Sequence, residues 1–206
     1  IHAGADICPH CGFSMEIADR QFGSDDWQVR RLTDRAGVLR HDDREKVQLA
    51  MGRFSKKFPQ LFLAVYTDTL DRPEDLRPFS FWLLNRSAFD DVPVDMPNEN
   101  GILLSIDPQS RAACIMYGYL LDEYLNEELT FDCLARAHGH WLEERFAEGI
   151  LRVIDRLETL LVGLSRKALR RSRNRNQQAM TRGRMDMVKP LRDGHRSSIQ
   201  QPGDEP

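Results

Sequence analysis

Leu61-Phe62-Leu63-Ala64-Val65-Tyr66-Thr67 and Gly101-Ile102-Leu103-Leu104-Ser105-Ile106 are the two stretches whose reading decides the fold. Both have strand length, are nearly continuous in apolarity and are rich in aliphatic and branched residues. That is the pattern of strands covered on both faces. Between them, Leu76, Phe79, Leu83 and Leu84 recur at helical spacing behind Pro73, which suits the first turn of a helix running to about Phe89. A strand, a helix and a second strand give a parallel pair with a right-handed crossover. Arg111 to Tyr117 (RAACIMY) follows the turn Asp107-Pro108-Gln109-Ser110 and predicts a third strand, antiparallel to the second.

Upstream, His41-Asp42-Asp43 offers a cap and an acidic first turn, and Val47, Ala50, Met51, Phe54 and Phe58 follow at spacings of three and four. Pro59 stops that helix. The segment Asp19 to Trp27 reads as a polar, glycine-bearing connector. Downstream, helical patterns cover Leu120 to Leu125, Thr130 to His138 and Trp141 to Leu169, with Gly139 suggesting a break. The expected fold class is therefore α/β: three layers, a small mixed β-sheet (a parallel βαβ unit plus an antiparallel hairpin) with helices on both faces.

The chain has 206 residues, a net charge of −3 and 41% hydrophobic residues, enough for one sizeable core and not two. No run approaches the roughly 18 to 20 apolar residues of a spanning helix. Residues Ile1 to Ile7 have neither the basic nor the apolar region of a signal peptide. The chain opens on Ile1 rather than methionine, so we expect it to be a fragment. Of four cysteines, Cys114 and Cys133 sit in apolar contexts and read as small buried hydrophobes, and nothing resembles a disulfide framework.

The order of these parts resembles the TPM domain family, whose members include thylakoid-lumen acid phosphatases, photosystem repair proteins and bacterial envelope proteins. Asp34-Arg35-Ala36-Gly37-Val38-Leu39 is similar to the family's opening D-x-A-G-x-L, and Asn100-Gly101-Ile102-Leu103-Leu104 to its N-G-x-L-L strand. The segment Arg111 to Gly118 is similar to its basic strand ending in glycine. Two loops depart from the family pattern: Phe89 to Asn98 lacks W-G-I-G, and Gly118-Tyr119-Leu120-Leu121-Asp122 replaces G-x-G-L-E. The resemblance spans about Val29 to Leu164, giving an organisation of 1–23 (half zinc ribbon and linker), 29–165 (TPM-like α/β domain) and 166–206 (basic, mostly disordered tail).

Ligands in open α/β sheets bind at the carboxyl ends of the parallel strands. Asp68 and Asp107 leave the first two strands there, and Asp34 joins them through the family resemblance. Converging carboxylates suit calcium or magnesium, and a metal there would polarise a phosphoryl oxygen. Asp34, Asp68 and Asp107 are thus the candidates for cation binding and for catalysis. The plainer alternatives are that Asp68 caps a helix and that Asp107 sets a turn. His138 and His140 are two apart, which on a helix points them about 200° apart and spoils a shared metal site.

Cys8-Pro9-His10-Cys11-Gly12, with the preceding Ile1 to Ile7, looks like the second half of a zinc ribbon, so that Cys8 and Cys11 would supply half of a tetrahedral shell. A reduced, metal-free pair is the alternative. The Arg-rich run Arg166 to Arg175 reads as a solvated helix end or as a contact for an anionic membrane surface or nucleic acid. It lacks the aromatics that stack on bases, and no specific nucleic acid is predicted.

The leading functional expectation is a TPM-like module that binds a divalent cation and acts in protein interaction or envelope maintenance. Its rivals are a metal-assisted acid phosphatase and a tail-mediated lipid or nucleic-acid binder. Zinc ribbons belong to reducing compartments and TPM relatives are often exported; a cytoplasmic or membrane-associated location is favoured, with export the open alternative. A chain continuing upstream of Ile1 is expected to carry a second cysteine pair and to hold zinc, which thiol blocking with a colorimetric zinc assay would reveal. Upstream sequence without cysteines, with no zinc released, would end that reading.

Overall fold

The computed structural model describes residues 14–25 and 27–186. Along the chain lie α1 (Met15–Phe22), β1 (Gln28–Val29), β2 (Leu32–Asp34), α2 (His41–Lys57), β3 (Phe62–Thr67), α3 (Leu76–Arg86) and β4 (Ala88–Phe89). They are followed by β5 (Gly101–Asp107), β6 (Ala112–Tyr117), α4 (Glu127–Leu142) and α5 (Phe146–Asp186). Cys8 and Cys11 lie outside the described residues, as does the tail beyond Asp186.

The fold is mixed α/β, with helices on both faces of the main sheet. Its four strands run in the order β2-β3-β5-β6. β2, β3 and β5 are parallel, and β6 returns antiparallel to β5. The two apolar runs therefore pair as their patterning and their helical connection dictate. On one face Leu63, Val65, Ile102, Leu104 and Ile115 pack against Phe54 of α2, Trp141 of α4 and Ile150 and Ile154 of α5. On the other, Phe62, Ala64, Tyr66 and Leu103 meet Ala18 of α1 and Phe79, Trp82 and Leu83 of α3. The alternation of side chains along each strand sends neighbours to opposite layers, so a run with no polar residues is what a three-layer core needs.

Several elements escaped sequence reading. The connector expected at Asp19 to Trp27 is half helix: Ser14 caps α1 by accepting from the Ile17 amide at 3.2 Å. α1 is then fixed from outside itself. Asp19 accepts from Arg86 of α3 at 2.8 Å, the Gly23 carbonyl accepts from Trp82 Nε1 at 2.9 Å, and Phe22 meets Phe79 edge-on. β1, β2 and β4 are two or three residues long, too short for any period to register.

The helix break expected at Gly139 is absent, and α4 runs unbroken from Glu127 to Leu142. It ends where Glu144 takes a left-handed φ of 59°. α5 continues to Asp186, well into the 166–206 stretch that the sequence suggested was mostly disordered. Its basic stretch holds arginine, glutamine, alanine and leucine, all good helix formers, with no proline before Pro190. The chain divides into two units after Leu164, and Ser165–Asp186 is the helical part of the second. Among the described residues no helix is long and apolar enough to cross a membrane.

Gly101 and Gly118 have φ of −85° and −71°, which any residue adopts. Space is what demands them: a Cβ on Gly118 would stand 2.1 Å from the Glu99 carbonyl oxygen, and one on Gly101 would stand 2.5 Å from the Phe62 ring. Gly118→Ala is expected to lower stability by about 1 to 3 kcal/mol, since a backbone carbonyl must move. Gly139→Ala, on α4 with open space around it, is expected to raise stability by about 0.5 to 1 kcal/mol. Urea denaturation of the two variants checks the opposite signs.

Candidate functional site: the cleft beside β2 and β3

The segment Asp34 to Leu39 leaves β2 as a tight loop closed on its own first residue. Asp34 Oδ1 accepts from the Val38 amide at 3.1 Å and from Thr67 Oγ1 at 2.5 Å. Its Oδ2 accepts from the Leu39 amide at 3.0 Å and from Arg44 Nη2 of α2 at 3.1 Å. The Arg35 and Ala36 amides both donate to the Thr67 carbonyl, at 2.8 and 3.2 Å. Gly37 sits at φ 67°, the left-handed region where a Cβ costs energy, and Leu39 enters the core. Each fixed letter of the D-x-A-G-x-L stretch except Ala36, which contributes only its amide, thus has a structural duty.

That loop forms one wall of a cleft of about 380 Å³, lined also by Trp27, Arg30, Arg44, Tyr66 and Asp90. Arg35 stacks over the Trp27 ring at 5.4 Å and reaches Asp68 Oδ2 at 3.3 Å. The Tyr66 hydroxyl donates to the same Asp68 oxygen at 2.8 Å, and Asp68 Oδ1 accepts from the Thr69 amide at 3.0 Å. Burial, and next the Asp68 carboxylate that accepts its proton, hold the Tyr66 phenol far above its usual pKa, so it stays a donor.

A sequence model of the TPM domain matches residues 32–160. The chain belongs to the TPM domain family. Among solved structures, the TPM domain here is similar to the N-terminal domain of a protein from P. gingivalis, at 22% identity and a TM-score of 0.50, covering 73% of this chain and 92% of that one. It is also similar to the N-terminal domain of the cg2496 protein from Corynebacterium glutamicum, with 15% identity, a TM-score of 0.49 and coverage of 63% and 78%. A third is the BA42 protein from Bizionia argentinensis, with 12% identity, a TM-score of 0.47 and coverage of 61% and 83%. No curated protein matches the chain.

The TPM sheet brings all three candidate carboxylates to one edge, because Asp34 pairs in register with Thr67 and Thr67 with Ile106. It does not make them converge. Asp34 falls on the same face as Leu32, whereas Asp107 falls with Leu103 on the other, as strand alternation requires. Asp107 is wholly buried, and its oxygens accept from the Gln109 amide at 2.9 Å and from Ser110 Oγ at 2.7 Å in the hairpin turn. Asp34 also has a fully covered side chain, while that of Asp68 is 25% exposed.

As arranged, the oxygens of Asp34, Asp68 and Asp107 all accept from protein donors. Among the described residues no group of three or more His, Cys, Asp or Glu stands ready to hold a metal. Arg35, Trp27 and Tyr66 were not among the expected residues. The sequence signals available were the position of Arg35 inside the loop motif and the Tyr66-x-Asp68 spacing, which puts both on one side of a strand end.

Cys114 and Cys133 are free thiols. Burial is the first cause that raises both, Cys133 to about 11, in keeping with inert core cysteines. His138 is exposed, and His140 faces inward with Nδ1 unpartnered.

Asp34→Ala is expected to cost about 2 to 4 kcal/mol, because it strands two amides and a guanidinium. Chemical denaturation and loss of amide protection at Val38 and Leu39 report it. Asp68→Asn, at a partly exposed site, is expected to leave stability nearly unchanged. Equal losses for the two variants would contradict this division of roles.

Proposed function

We propose that this TPM domain works as a binding module rather than a hydrolase, and that its cleft takes an acidic group, carboxylate or phosphate, presented by a partner protein. The observation that carries this reading is the Arg35 guanidinium, more than half exposed at the cleft and stacked over Trp27. Arg30, Arg35 and Arg44 supply three guanidinium groups, against Asp34 and Asp90 on the lining and Asp68 beside it. Asp34 is already consumed by its four donors. Arg35 is 55% exposed and pre-aligned by Trp27, which suits a planar fork for bidentate contact with an anion. Asp34 and Asp68 already accept from protein donors, and Asp90 is the lining carboxylate whose side chain accepts from none.

A cation-dependent reading, with phosphate-ester hydrolysis as its active form, is the second. It rests on Asp68, the one candidate carboxylate with an accessible side chain. Calcium or magnesium there would neutralise phosphate charge, and Arg35 would release Asp68 and turn to the ester.

Titration of the labelled protein with inorganic phosphate, with acetate and with each metal separates these. Saturable amide shifts at Arg35, Ala36 and Asp68 with the anions are expected. Arg35→Gln should weaken binding by about tenfold, equivalent to 1.4 kcal/mol. Metal-driven shifts that vanish in Asp68→Asn, with anions silent, would replace the first reading by the second and make aryl phosphate hydrolysis the next assay.

A further inference from the structure

β6 is the far edge of the main sheet, away from the cleft, and it carries none of the devices that usually protect an edge. Ala112-Ala113-Cys114-Ile115-Met116-Tyr117 has no charge and no proline, and its register with β5 is unbroken by a bulge. The Gly118 amide donates to the Gly101 carbonyl at 2.9 Å, so Gly101 and Gly118 form a hydrogen-bonded pair. Antiparallel alternation then turns Met116, Cys114 and Ala112 toward β5. It leaves the amides and carbonyls of Tyr117, Ile115 and Ala113 facing outward.

Outside that edge lies a slot of about 320 Å³. Its floor is Ala112 to Ile115, one wall is Glu74, Leu76 and Arg77, and the other is Glu127, Thr130, Phe131 and Leu134 of α4. Phe131 is 69% exposed at this wall. The lining carries an acidic excess of one: Arg77 pairs with Glu127 at 2.8 Å, which leaves Glu74. The Tyr117 phenol registers the same field, raised by burial and then by Asp122, with Arg77 opposing and Glu127 adding.

We propose that this slot receives an extended segment of a partner protein, which adds to the sheet as a fifth strand beside β6, with apolar side chains alternating with lysine or arginine. A row of outward amides and carbonyls is matched by another extended backbone. The apolar walls take one side of such a strand, and the acidic excess of the lining selects basic residues on the other. This surface is separate from the anion-binding cleft and does not depend on it.

The test uses the full chain, labelled for amide spectra, and a capped hexapeptide of alternating lysine and valine. Saturable shifts at Ala113, Ile115 and Tyr117 are expected. Methylating alternate peptide nitrogens, or replacing lysine by glutamate, should weaken binding about tenfold or more. Ala113→Pro removes an outward donor without breaking a ladder bond and should abolish binding. Glu127→Lys, at an exposed position, should weaken it, and the same spectra report whether the variant is folded.

Equal affinity for the methylated peptide, or shifts confined to Arg35 and Asp68, would overturn the proposal. So would β6 shifts that grow with protein concentration in the absence of peptide, which would make a second copy the occupant.

Discussion

The carboxylate of Asp34 ties together the loop after β2, the start of α2 and the end of β3. Two of its partners are amides of the loop that follows β2, one is the hydroxyl that ends β3, and one is the guanidinium near the start of α2. A buried carboxylate in this setting is stabilised only when its lone pairs are filled, and here they are. The consequence is geometric: β2 is only three residues long, yet its register against β3 is fixed, and the loop is held as a firm wall of the cleft. Arg35 takes its place over Trp27 because the residue before it cannot move.

The two edges of the sheet differ in kind. At β2 the edge is short, flanked by the tight loop and by the separate β1–β4 pair, and the neighbouring cleft is rich in guanidinium groups. At β6 the edge is six residues long and uncharged, and a slot with an acidic excess of one lies beside it. On the readings proposed above, the first would take an acidic group and the second an extended, basic strand.

The candidate carboxylates show how a correct placement can carry a wrong orientation. Reading the parallel strands put Asp68 and Asp107 at the carboxyl edge, and the family resemblance added Asp34; all three are there. Strand alternation, however, turns Asp34 to the opposite side from Asp107, and local amides take up the oxygens of both. Asp107 does what the plainer reading of Asp-Pro-Gln-Ser suggests and sets the hairpin turn. Asp68 does not cap α3, which begins only after the short helical turn Pro73–Asp75; it holds Tyr66 and Arg35 instead.

The sequence by itself determined the long elements. Apolar runs of seven and six residues and helical spacings in α2, α3 and α5 leave one way to bury their side chains, and a four-residue turn leaves one direction for β6. It also determined the family, because the loop after β2 needs a carboxylate, a left-handed glycine and a buried leucine at fixed offsets. Only the tertiary structure decided the rest. α1, β1, β2 and β4 are too short or too polar to be stable alone and exist because Trp82, Arg86, Thr67 and Val29 hold them from elsewhere in the chain. The cleft and the slot are likewise made of side chains tens of residues apart, and the charge each presents depends on which ion pairs close first. That is a property of distances in space, which spacing along a chain does not record.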